Sequence, residues 1–522
     1  MSENSNTSNI SNTPNTSSSS SSSSSTVKAV GLGGLIALVV GSMVGTGVFD
    51  LPRNMAEGAG GLAIIIAWII TAIGMLALGY SFLNLSNRRP DLEGGVFSYA
   101  REGFGEYWGF NNAWAYWISA LLGNVAYGVA LLSAIQFFLP EGVSIFAGGG
   151  PTILGLIVIS TILWAVNFLI MRGVSGAAVV NLVVTIAKAI PLILFAIIVV
   201  VMFNWQTFSE SFLGGLQAIS WAHNVGDMPS ILNQVRSTML ATVWAFIGIE
   251  GAVLFSSRAR NKKDVGKATI IGLLGVIVLY MVFTIGSLGV MAQADIAAID
   301  TFPATAVILQ HMVGEWGAII INAGVIISIS GAWLAWTLFG AETPYLAAKQ
   351  GLFPDAFAKL NKNETPVFSL IVSNLIVQFF LILVFFAMRA YEFGYTMASS
   401  AILFPYAFSA FFQVKYMLQL KSNAKDNGKD GAAAMKGRWT QIAIGSVASI
   451  YALWLLYGAG LNYMAFTCLL FVPAAAVFIY HQWKKGSRPI MKAYEWAFAT
   501  ALTALGFLGL YWVIIGRLEL FG

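Results

Sequence analysis

The sequence predicts an all-α polytopic membrane protein whose core is a 5+5 inverted repeat with discontinuous helices 1 and 6. Three observations carry this. The 522-residue chain is 57% hydrophobic and only 10% charged, against about 25% charged in soluble proteins. Apolar stretches of about 20 residues, the length that spans hydrocarbon, recur along most of the chain after residue 30. Two of them are interrupted by glycine: GSMVGTGVF (residues 41–49), with Pro52 just beyond, and WAFIGIEG (residues 244–251).

The first element is a Ser/Asn/Thr-rich tail, residues 1–27, with an unbroken Ser/Thr run at 16–26. Such a composition cannot bury a core and is expected to be disordered. It has no basic stretch before the first span, so no cleaved signal peptide is expected. Spans follow near 31–54, 60–84, 107–138, 152–171, 176–203, 233–257, 266–292, 316–345, 366–388, 394–418, 439–458, 460–481 and 494–516. That is thirteen, within a range of 12 to 14. Residues 28–418 would form the ten-helix inverted-repeat core and 419–438 a cytoplasmic loop. Residues 439–522 would carry the appended helices.

Basic residues set the orientation. With the N-terminus in the cytoplasm, all but Arg53, Lys188, Arg236, Arg389 and Arg517 of the 28 lysines and arginines fall inside. The same asymmetry explains the net charge of +5, which is therefore no signal for nucleic acid. The cluster at 258–267 reads as a topology anchor, with anionic-lipid contact secondary. The single cysteine, Cys468, allows no disulfide within the chain, and His223, His311 and His481 show no metal-ligand spacing. No metal or cofactor is expected.

The two breaks carry the functional signal. Glycine weakens a helix by roughly 1 kcal/mol relative to alanine. In a bilayer, broken helix is tolerated where it lines a cavity. Gly45, Thr46 and Gly47 thus suggest a site in which free N–H groups and a helix N-terminus face a substrate anion; close helix packing is the plainer alternative. The breaks are five spans apart, so the two spans run in opposite directions, as an inverted repeat requires.

Glu250 sits between Gly248 and Gly251. An ionisable group at mid-membrane costs about 2.5–3.5 kcal/mol on insertion scales. It would neutralise a cationic substrate, act as a gate or proton switch, or be a hydrogen-bonded structural group. Lys188 lies near the middle of span five, where snorkelling is difficult. Tyr116 and Asn124 are about two helical turns apart on one face, suited to reading a distal guanidinium or to bonding neighbouring spans. Trp244 and Trp336 would offer cation–π stacking worth about 0.5–2 kcal/mol, or serve as apolar filler. Trp333, one turn away, reads as lipid- or core-facing.

GSMVGTGVF with its following LP, WAFIGIEG, and GAWLAWTLFGAETPYLAAKQGLFP (residues 331–354) occur in order at spans one, six and eight. The chain resembles the amino acid–polyamine–organocation (APC) transporters, and within them the basic amino acid antiporters. FSYAREGFGEYWGF, YWISALLGN, NQVRSTMLATVWAFIGIEG and SSRARNKKDVGKAT look most like the arginine–ornithine antiporters. The resemblance covers about residues 28–515. It implies that Gly45, Thr46 and Gly47 bind the substrate carboxylate and that carbonyls from Ala245 through Ile247 to Gly248 meet the α-ammonium. It implies that Trp244 is an aromatic gate and that Trp336 stacks on the cationic side chain, with Tyr116 and Asn124 in the side-chain pocket. Ser119, Ala120 and Tyr127 depart from the residues of the arginine–agmatine exchangers. By resemblance Lys188 stands where sodium sits in sodium-coupled relatives, its ammonium bridging the break in span one and span eight.

The function so implied is exchange of cationic amino acids by alternating access, arginine against ornithine, in the plasma (cell inner) membrane. A proton-coupled importer or an amino acid/amine exchanger is the alternative within the class. A channel or nutrient sensor is the alternative outside it; no filter-like loop or charged ring is visible. No nucleophile elbow or Walker loop points to an enzyme. Partners expected are basic amino acids and membrane lipids, with a homodimer left open.

Overall fold

The computed structural model describes residues 31–92, 94–172, 177–212, 230–250, 262–387, 389–423, 437–486 and 490–515. The tail at 1–27, Gly251, Arg258, Arg260 and most of the 419–438 loop lie outside them.

Apolar composition and the need to satisfy every backbone group within lipid give an almost entirely helical chain. In order the helices are α1 Leu32–Met43, α2 Gly47–Ala56, α3 Gly61–Arg88, α4 Val96–Phe104 and α5 Glu106–Gln136. Then come α6 Ile153–Met171, α7 Ala177–Val201, α8 Trp205–Phe212, α9 Ile231–Ser237 and α10 Met239–Phe246. The second half comprises α11 Lys262–Leu288, α12 Gln293–Ala297, α13 Ala304–Val313, α14 Glu315–Lys349, α15 Val367–Val384 and α16 Ala390–Asn423. The chain closes with α17 Arg438–Leu469, α18 Val472–Lys484 and α19 Ala493–Ile514. A two-residue antiparallel ladder pairs Phe146–Ala147 with Gly150–Pro151.

Among the described residues, nine helices are long and apolar enough to cross a membrane, or up to 11 if each of two bent pairs counts as one span. This is a polytopic membrane protein. The first bent pair is α1 with α2, at 51°. The second joins the end of α7 to α8 at 93°, so α8 turns away from span five. The spans expected at 439–458 and 460–481 appear as α17, divided at Gly460, where φ is +77°, followed by α18. The short helices α4, α8, α12 and α13 lack the length of a span and went unread in the sequence.

The core is organised around α5. Its most apolar stretch is 94% buried, against 28% for α6 and α19, which present most of their apolar side chains outward. α5 packs against α14 and α16, and α7 packs against α14. A helix that is apolar all round belongs in the middle of the bundle, and α5 carries Tyr116 and Asn124 there. At the end of α3, Arg89 pairs with Asp91 at 2.7 Å and Glu102 at 3.2 Å. The guanidinium holds the Asp91 carboxyl below its ordinary range and ties the connection between α3 and α4.

Candidate functional site

The helix of span one stops at Met43 and restarts at Gly47. In the gap, Gly45 N–H donates to the Met43 carbonyl at 3.0 Å and Phe49 N–H to the Thr46 carbonyl at 3.1 Å. The first turn of α2 otherwise has N–H groups without intrahelical acceptors, as every helix start does. The helix of span six stops at Phe246; Ile247 turns extended and Gly248 takes φ +106°. The two gaps meet. A side chain on Gly248 would run into the carbonyl of Ser42, so only glycine permits this approach at this φ. The hydroxyl of Tyr280 on α11 lies 2.9 Å from the Ala245 carbonyl and 3.3 Å from that of Met43, on opposite sides of the junction.

Aromatic rings surround the break. A Cβ on Gly47 would sit 2.9 Å from Cδ1 of Trp244, so the indole lies directly on the backbone there. Trp244 Nε1 donates to the Tyr391 hydroxyl at 3.1 Å, and that hydroxyl donates to Thr46 Oγ1 at 3.3 Å. Tyr127 and Tyr395 face the same indole, with centroids at 5.8 and 6.3 Å. Thr46 is wholly buried. The structure thus brings Gly45, Thr46, Gly47, Trp244, Ala245 and Ile247 to one place.

Lys188 is buried on α7, and its ammonium donates to the carbonyls of Gly41 at 2.9 Å and Val44 at 2.6 Å. These are carbonyls near the end of α1, where a helix has acceptors without intrahelical donors. Its hydrogen bonds among the described residues end there. On either side of Lys188, α7 touches α14 through Val184, over Gly331, and Pro191, over Gly324.

Glu250 is buried and held at both oxygens: Tyr116 Oη donates to Oε1 at 2.8 Å and Tyr406 Oη to Oε2 at 2.6 Å. Leaving a buried oxygen unmatched costs about 1–3 kcal/mol, so the two phenols offset much of the cost of placing the acid here. Tyr116 therefore points its hydroxyl at Glu250. Both line a cavity of about 120 Å³ together with Phe339 and Glu342.

Asn124 is 1% exposed, and among the described residues neither its amide nitrogen nor its oxygen has a hydrogen-bond partner. Leaving such a group unmatched costs about 1–3 kcal/mol, so it is an unfilled polar position in the bundle. Trp336 is buried and meets Phe339 edge-on at 5.5 Å. Trp333 is core, not lipid-facing, at 1% exposure.

On the other side of Tyr391 lies a vestibule of about 710 Å³, lined by Arg53, Glu57, Arg389 and Glu392 among others. Arg389 pairs with Glu57 and Glu392, and Arg53 lies 3.6 Å from the buried Asp50. Asp50 accepts from the Ala304 N–H at 3.0 Å, anchoring α2 to α13.

Sequence reading did not single out Tyr280, Tyr391 or Tyr406. A phenol inside an apolar span needs a hydrogen-bond partner, which is the signal each gave. With 17 tyrosines in the chain, that signal alone does not choose among them.

A family described as amino acid permease matches residues 30–477. The chain is 44% identical over 453 residues to an arginine/ornithine antiporter of Pseudomonas aeruginosa, covering 86% of this chain and 89% of that protein. It is 42% identical over 450 residues to a putative arginine/ornithine antiporter of Escherichia coli K12, covering 86% and 91%. It is 38% identical over 436 residues to an arginine/agmatine antiporter of Chlamydia caviae, covering 84% and 86%.

Proposed function

The chain belongs to the amino acid permease family, and from that premise we propose that it is an antiporter exchanging arginine for ornithine by alternating access. The observation that carries the reading is the junction of two interrupted helices, with Gly248 seated on the Ser42 carbonyl and Trp244 on Gly47. It supports a midplane site in which backbone, not a cofactor, meets the amino acid's charged ends.

In this reading Gly45, Thr46 and Gly47 receive the carboxylate, and Ala245, Ile247 and Gly248 receive the α-ammonium. Trp244 covers the site and Trp336 stacks on the side-chain cation. Asn124 supplies the unmatched polar group. Glu250, with Tyr116, couples the site to the smaller cavity. Lys188 replaces a bound cation at the end of α1, so exchange is independent of sodium. The protein sits in the plasma membrane with a cytoplasmic N-terminus.

Counterflow in proteoliposomes tests the reading. Without sodium, labelled arginine should enter only when ornithine is inside. Uptake into empty vesicles driven by a pH gradient would replace exchange with proton coupling. Agmatine exchange, which the likeness to the Chlamydia caviae protein raises, is separated by charge. An amine carries one more positive charge than its amino acid, so it would generate current where ornithine does not.

A further inference from the structure

The 710 Å³ vestibule is large enough for a whole amino acid, since ligand sites run from about 300 to 1,000 Å³. Its charged lining is unequal. Glu57, Glu392 and Asp300 supply three carboxylates; Arg53 and Arg389 supply two guanidinium groups. The described lining side chains carry one negative charge in excess, and the buried Asp50 behind Arg53 adds another, so the vestibule suits a ligand with a net positive charge. Both ends of such a ligand have partners. Arg53 Nη1 donates to the Ile299 carbonyl at 3.2 Å and its Nε faces the buried Asp50 at 3.6 Å, which leaves Nη2 as its donor for a carboxylate. Asp300, exposed in the lining, carries the opposite charge.

Tyr391, whose hydroxyl bonds Thr46 and Trp244, lines the vestibule. Tyr391 thus belongs both to this cavity and to the hydrogen-bonded surroundings of the break in span one. We propose that the vestibule is a second binding site, a waiting station that holds the incoming basic amino acid while the junction site is still filled. The proposal rests on the functional reading above and adds a second ligand to it.

Equilibrium binding of labelled arginine to the full-length chain in lipid nanodiscs decides the matter. At saturation the wild-type chain should hold about two arginines, and the Asp300→Asn, Glu392→Gln double variant about one. Raising the salt to about 1 M should release the vestibule ligand preferentially, because exposed charges are screened within about 3 Å there. A wild-type ratio of one overturns the second site whatever the variant does, and so does a ratio of two that persists in the double variant. Binding of one arginine with intact arginine–ornithine exchange would leave the functional reading standing. No arginine binding and no exchange would remove both.

Discussion

The ammonium of Lys188 lies 2.6 Å from the carbonyl oxygen of Val44, the last residue before the gap between α1 and α2 loses its helical hydrogen bonds. A side chain from span five thus ends the helix of span one. Replacing it with methionine keeps the volume and removes the donor. Each buried carbonyl left unmatched costs about 1–3 kcal/mol. Lys188→Met should lower the thermal unfolding temperature of the purified protein and abolish exchange, with no rescue by sodium. Full exchange by this variant would remove Lys188 from the mechanism.

Glu250 should tolerate loss of one phenol better than loss of both. Tyr116→Phe and Tyr406→Phe each delete one hydrogen bond and leave a buried carboxyl oxygen unmatched, at about 1–3 kcal/mol. A double-mutant cycle on exchange rate and stability should show coupling, because both bonds end on one carboxyl group. Glu250→Ala should cripple exchange while membrane insertion persists, which fluorescence-detected size exclusion checks. Additive effects of the two phenols would mean that they act separately.

Gly248→Ala should be among the most damaging single changes. It places a Cβ against the Ser42 carbonyl at φ +106°, where a non-glycine residue is strained by roughly 1–3 kcal/mol. The comparison is Gly275→Ala, where a Cβ meets nothing within 4 Å and helix propensity favours alanine by about 1 kcal/mol. Expression and exchange should fall in the first and hold in the second.

Trp336→Ala should abolish exchange of arginine, whereas Thr46→Ala should weaken binding moderately. The Thr46 hydroxyl accepts one bond at 3.3 Å from Tyr391, and a neutral bond contributes about 0.5–1.5 kcal/mol, a few-fold in affinity. Tyr391→Phe should match Thr46→Ala in equilibrium binding. An unchanged affinity in both would leave the carboxylate to backbone donors alone.

The helical membrane fold was legible because composition and span length are one-dimensional quantities. So were the breaks: Gly45, Gly47 and Gly248 lie within a few residues of the gaps they open. Lys188 and Glu250 stood out because a charge in an apolar run has few explanations. Their partners did not stand out. The Gly41 and Val44 carbonyls carry no residue-type signature, and Tyr406 lies 156 positions from Glu250. The vestibule drew no notice either. Its acids and bases are scattered from Arg53 to Glu392, and each alone reads as an ordinary interfacial charge.

The hydroxyl of Tyr280 has one proton and two carbonyl acceptors, one on each interrupted helix. At any instant it can fully satisfy only one. When α1 shifts against α10 by a few tenths of an ångström, the proton can follow whichever carbonyl comes nearer. The number of hydrogen bonds stays constant through the movement. A donor within reach of both pieces opposes a small slide between them less than a bond fixed to either one would.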